Sequence, residues 1–120
     1  MSTSVSTNMT TNWSSQQCRA GAPAMTPEDV LATLADVPGW GVEGHHLARV
    51  FAFRDFHETI AFVDALAAMI HAQDHHPVLT VSFNHCKVSY TTHTAGNTIS
   101  TNDFISAARA NTIYAAQAAA

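Results

Sequence analysis

Apolar positions recur along this chain with two different periods, and the switches between them outline seven elements. Val30, Leu31, Leu34 and Val37 recur at helical spacing. Thr26-Pro27-Glu28-Asp29 opens that helix: Thr26 can cap, Pro27 suits the first turn, and Asp29 completes a capping box. Pro38-Gly39 ends it. A short strand starts at Trp40 to Val42, and Glu43 to His46 forms a turn. From Leu47 to Phe53 the period becomes two, with Leu47, Arg49, Phe51 and Phe53 on one side and Ala48, Val50 and Ala52 on the other, which predicts a hairpin. Asp55-Phe56-His57-Glu58 is a second capping box. Behind it, Phe56, Ile60, Val63, Ala67 and Ile70 form one stripe of a long helix. That helix should end near Gln73, because His75-His76-Pro77 follow.

Val78 to Phe83 reads as a strand with Leu79, Val81 and Phe83 on one face. Asn84-His85 is the turn, and Cys86 to Thr92 is the partner, with Val88 and Tyr90 opposite Lys87, Ser89 and Thr91. Thr94 to Ile99 is a loop around Gly96-Asn97. Ser100-Thr101-Asn102-Asp103 is a third capping box, and Phe104, Ile105, Ala108, Thr112 and Ile113 give the inner side of the last helix. The order α-β-β-α-β-β-α predicts an α+β domain, a four-stranded antiparallel sheet with three helices packed on one face. Its other face is then solvated or buried against another subunit.

Composition sharpens the boundaries. Residues 1–24 carry one charge, Arg19, and no periodic apolar pattern, whereas all nine carboxylates lie from Glu28 onward. A disordered tail over 1–24 and a domain over 25–120 are expected. The tail has no apolar core of the kind a secretory signal needs. A length of 120 residues, 47% of them hydrophobic, fits one domain with a packed core. The longest apolar segment, Ile60 to Ile70, is broken by Asp64, far short of the ~20 residues of a membrane span. A net charge of −4 and five scattered Lys and Arg disfavour direct binding of nucleic acid. Cys18 and Cys86 form no CxxC pair and nothing supports a disulfide between them, so a reducing cytoplasm is the plainer setting.

Histidine changes the picture. There are eight, and His71, His75, His76, His85 and His93 fall close together in the sequence. His71 and His75 share a face if the helix persists that far. Pro77 biases His76 toward extended backbone. A tight turn at Asn84-His85 brings the region of His76 near His93, so three imidazoles can surround one pocket at the end of the sheet. Three readings compete. Surface histidines at element ends are common. A metal site could use His71, His75 and His93, although no HExxH is present and no Cys or Glu stands at ligand spacing. Acid–base catalysis suits groups with an ordinary pKa of ~6.5. Two or three such groups with no nucleophile nearby suit an elimination or dehydration, and the lack of a G-x-S-x-G elbow or activated cysteine disfavours acyl transfer. His45, His46, His57 and His85 fall at turns or a helix start and read as polar surface, and Trp40 reads as a core anchor.

At these residues the chain resembles the pterin-4a-carbinolamine dehydratases. The motif positions read His71, His75-His76-Pro77, Phe83, His93 and Asp103. Val37-Pro38-Gly39-Trp40, Phe53-Arg54-Asp55-Phe56 and Asn102-Asp103-Phe104-Ile105 extend the resemblance over about Met25 to Tyr114. His71 stands where a glutamate is common in the family, and Val78-Leu79 replaces a frequent acidic–aromatic pair. The resemblance implies a lyase that removes water from 4a-hydroxytetrahydropterin to give quinonoid dihydropterin, with no metal and no cofactor beyond the pterin substrate. It implies His75, His76 and His93 as catalytic groups, with Asp103 orienting His93. His71, Asp74, Pro77, Thr91, Thr92 and Thr94 are implied as pterin contacts together with Asp103. A homodimer or homotetramer is implied, with no membrane partner. The same fold also admits a non-enzymatic dimerisation or coactivator module, or a protein serving another pterin or molybdopterin.

Overall fold

The structure, a computed structural model, describes residues 12–119. Three helices and four strands follow the expected order. Helix α1 spans Pro27–Thr33, strand β1 Gly41–Glu43, β2 His46–Ala52, helix α2 Phe56–Gln73, β3 Val78–Val81, β4 His85–Tyr90 and helix α3 Thr101–Ala119. The sheet runs β1-β2-β4-β3, antiparallel throughout. Each hairpin pairs within itself, and the two join through β2 and β4, with Leu47 opposite Tyr90 and Ala52 opposite His85.

All three helix starts are capped by side chains, and the third also closes the return bond of a full capping box. Thr26 Oγ1 accepts from Asp29 N at 3.1 Å and Asp55 Oδ1 from Glu58 N at 2.9 Å. At the third, Ser100 Oγ accepts from Asn102 N and Asp103 Oδ2 accepts in return from Ser100 N at 2.8 Å. Each satisfies backbone donors that a helix start otherwise leaves open. Gly39 sits at φ +88°, and a side chain there would come within 2.6 Å of the Arg49 guanidinium, which reaches back to Pro38 O and Asn111 Oδ1. The Pro-Gly turn therefore needs its glycine for φ, and any side chain there would also displace the Arg49 guanidinium from these bonds.

The core lies between one face of the sheet and the helices. Leu47, Phe51, Cys86, Val88 and Tyr90 meet Phe62, Leu66, Phe104 and Ala107, all fully buried. Trp40 anchors one end, with its indole N–H donating to Asn111 Oδ1 at 2.8 Å.

Two expectations are corrected. The buried stripe of α2 is Thr59, Phe62, Leu66, Ile70 and Gln73, while Phe56 is 49% exposed. The helix is apolar on more than one side, and two polar residues turn inward because they have partners there. Thr59 Oγ1 donates to Asp55 O and Phe83 O, and Gln73 meets the N-terminal segment. The second correction concerns the tail. The part over residues 1–11 lies outside the described residues, but residues 12–24 pack against the domain. Trp13 packs at a tilt against Phe104 with ring centroids 5.9 Å apart and donates to Asp36, Arg109 donates to Gln16 O, and Ala22 is buried. An extended strap with few charges is held by side-chain amides of the domain, which no periodicity can reveal.

Candidate active site

A cleft of about 570 Å³ opens where α2 hands over to β3, beside the end of β4. It lies within the range of small-molecule sites. A second hollow of about 410 Å³, beside Phe53, Arg54 and Tyr114, carries an ion pair but no histidine.

Three segments build the cleft. The first is Ala72 to His76. Helix α2 stops at Gln73 because Asp74 takes a left-handed conformation, φ 51°, with its N–H closing onto Ile70 O and His71 O. The chain then runs extended into Pro77, so His75 and His76 leave the helix axis and line the cleft. The second segment is Thr91 to Thr94, which continues β4 into a short 3-10 turn at His93–Ala95. The third is the strap, Cys18 to Gly21, with Asn102 at its back.

His75 is the anchored group. Its Nε2 lies 2.6 Å from Asp103 Oδ1, and its ring stacks on Tyr90 at 5.3 Å and 15°. Asp103 is fully buried. Its other oxygen accepts from Ser100 N and from Thr92 Oγ1, both at 2.8 Å. The Ser100 hydroxyl lies 2.7 Å from Thr92 Oγ1 and accepts from Asn102 N. With Oδ2 occupied by two donors, Oδ1 is left to accept from His75 Nε2–H, and His75 Nδ1 is the nitrogen left to exchange a proton. Chained donors of this kind reinforce one another where water is scarce.

His93 is held differently. It is exposed, and its Nδ1 lies 2.7 Å from Asn97 Oδ1, with Asn97 itself at φ 59°. An amide oxygen accepts, so His93 carries its proton on Nδ1 and leaves Nε2 free. The expectation that Asp103 orients His93 is therefore corrected: Asp103 holds His75, and Asn97 holds His93. His76 is exposed at the cleft.

Asp74, Thr91, Thr92 and Thr94 join the histidines in the cleft lining. His71 does not, because the helix ends before His75 can share its face, and His71 is exposed outside the lining. Pro77 and Asp103 also lie outside the lining, Pro77 following His76 in the chain and Asp103 bonded to His75 behind it. Among the described residues, no three His, Cys, Asp or Glu side chains gather around a point that could hold a metal. Tyr90, Asn97, Gln73, Asn102 and the strap join the site without a sequence motif that marks them as a group. Asn97 sits four residues after His93 beside Gly96, a turn signal that also positions a side chain. Burial pushes the Tyr90 phenol above its ordinary range, and its hydroxyl, near Ser106, makes no hydrogen bond among the described residues. Burial also raises the Cys18 thiol, against the opposing pull of Ser106 and Arg109. Cys18 and Cys86 are both free thiols.

Fold and site together define a small α+β protein with a histidine-lined cleft suited to proton transfer. The chain belongs to the pterin 4 alpha carbinolamine dehydratase family, whose model matches residues 23–113. A protein bearing the family's name in Nitrosospira multiformis is 38% identical over 97 residues, 81% of this chain and 85% of that one. One in Bdellovibrio bacteriovorus is 44% identical over 89 residues, 72% of this chain and 74% of that one. Among solved structures, a transcriptional coactivator/pterin dehydratase from Brucella melitensis matches with a TM-score of 0.70 and 28% identity, covering 75% of this chain and 97% of that one. A pterin dehydratase-like RuBisCO assembly factor of the alpha-carboxysome matches with a TM-score of 0.51 and 25% identity, covering 62% and 86%. No helix among the described residues is long and apolar enough to cross a membrane.

Proposed function

We propose that this chain is a hydro-lyase, a 4a-hydroxytetrahydrobiopterin dehydratase that removes water from 4a-hydroxytetrahydropterin to give quinonoid dihydropterin. It would serve to recycle the pterin cofactor of aromatic amino-acid hydroxylases. The observation that carries this reading is a pair of imidazoles at one cleft, each tied at one nitrogen to a fixed oxygen: His75 to Asp103 and His93 to Asn97. Loss of water needs a proton delivered to the 4a-hydroxyl as it leaves and a proton taken from N5. One imidazolium gives the first and one neutral imidazole takes the second, so no outside co-reactant is needed. His75 Nδ1 and His93 Nε2 are the atoms free for those transfers. His76 and the Thr91 to Thr94 stretch would orient the ring.

A homo-oligomer fits the same reading. Phe56, Val78, Val81 and Phe83 are exposed apolar side chains at the α2 start and along and just past edge strand β3, where a second copy would cover them. Two free thiols suit the cytoplasm.

The test is the dehydration of chemically generated 4a-hydroxytetrahydropterin, followed by ultraviolet absorbance. Wild-type protein should exceed the spontaneous rate, and His75→Ala or His93→Ala should lower kcat by ~10²-fold or more with an unchanged circular dichroism spectrum. A wild-type rate no faster than buffer moves the function to pterin binding or partner assembly.

A further inference from the structure

The strap over residues 16–21 lies ahead of the family match, yet it forms one wall of the cleft. Two buried side-chain amides hold it there. Gln73, the last residue of α2, accepts from Cys18 N at 2.8 Å and donates to Gln17 Oε1 at 2.9 Å. Asn102 grips Arg19 at both backbone groups, accepting from its N–H at 3.1 Å and donating to its carbonyl at 2.8 Å. Gln73 and Asn102 are 8% and 6% exposed, so each is spending a buried amide on the strap. They stand two residues before His75 and one before Asp103, which seats the strap on the same frame as the anchored imidazole.

What this fixed wall brings to the cleft is charge. Among the described lining residues, Arg19 and Asp74 are the ones other than the histidines that are charged at neutral pH. Arg19 is exposed and makes no ion pair among the described residues, whereas Arg109 nearby is committed to Gln16 O. The two backbone bonds fix where the Arg19 side chain starts, at the rim of the cleft, while its exposed guanidinium stays unpaired among the described residues and is available to an anion.

We propose that Arg19 is a specificity-determining residue that favours pterins carrying an anionic substituent, a carboxylate or phosphate ester, over neutral ones. The proposal rests on the pterin reading of the cleft. Planar guanidinium binds such oxyanions through paired charge-assisted hydrogen bonds.

Equilibrium dialysis of the full chain with pterin-6-carboxylate and with 6-hydroxymethylpterin tests it, since the two share a ring and differ in substituent charge. Wild-type protein should bind the carboxylate ~10-fold more tightly, in the range of one hydrogen bond to a charged group. Arg19→Ala should erase that preference while still binding the neutral pterin, and Arg19→Lys should keep part of it. Raising salt should shrink the preference. Equal wild-type affinities, or a preference that survives in Arg19→Ala, overturns the proposal and leaves pterin binding standing. Binding of neither pterin to wild-type protein overturns this proposal and the pterin reading together.

Discussion

At the scale of single residues, Asp103 joins fold and chemistry. One oxygen closes the capping box of α3 and receives the Thr92 hydroxyl; the other holds His75. Asp103→Asn separates the two tasks. The amide oxygen can still accept from Ser100 N and Thr92, but the amide nitrogen then faces His75 Nε2 and donates to it. His75 is thereby switched to the other tautomer, with its proton on Nδ1. We expect kcat to fall by ~10²- to 10⁴-fold, the range ascribed to positioned acid–base groups. The loss of folding stability should stay near ~1–3 kcal/mol, that of one impaired buried polar contact. The pH–rate profile read beside the urea midpoint checks this, and an unaltered kcat and profile would remove Asp103 from the proton-transfer apparatus.

At the scale of elements, the end of α2 determines which side chains reach the cleft. Asp74 adopts φ 51°, a conformation that suits glycine better than a residue with a Cβ. Asp74→Gly should therefore raise stability by up to ~1 kcal/mol, read as a higher urea midpoint. If Asp74 also contacts the pterin, KM rises in the same variant while the midpoint goes up. Unchanged KM would restrict Asp74 to its capping role. This junction also shows how far the elements could be read from sequence. Pro77 and the paired histidines placed the end of α2 at Gln73, and the T-x-x-D, D-x-x-E and S-x-x-D boxes placed all three helix starts. Strict alternation in Leu47 to Phe53 gave the inner face of β2. The rotation of α2 was not legible, since Thr59 and Gln73 face inward only because Phe83 O and the strap await them. Such partners are distant in sequence, and so are Asp103 and His75. Spacing could mark both as chemical residues, but the sheet register and the seating of α3 decide which histidine the carboxylate meets.

At the scale of the whole molecule, the buried weak acids set a limit on stability at high pH. Burial raises Cys18, Cys86 and Tyr90 above their ordinary ranges. Each stays protonated in the folded chain at pH values where the unfolded chain has already released its proton. The unfolded state then binds fewer protons, and stability falls as pH rises. Below the ordinary thiol range of about 8.5 these groups contribute no slope. Above it the thiols begin to favour unfolding, and near pH 10 the phenol joins them. The urea midpoint should therefore hold level up to about pH 8 and drop steadily beyond it. Tyr90→Phe isolates the last part of that fall. Phenylalanine keeps the ring that stacks on His75 and removes a hydroxyl that has no hydrogen-bond partner among the described residues. At neutral pH the variant should match wild-type stability or exceed it by up to ~1 kcal/mol, because no satisfied bond is lost. Between pH 10 and 11 its midpoint should decline less steeply than that of wild type. A parallel decline in both proteins would place the alkaline sensitivity in the cysteines, and Cys18→Ala and Cys86→Ala would then each remove part of it.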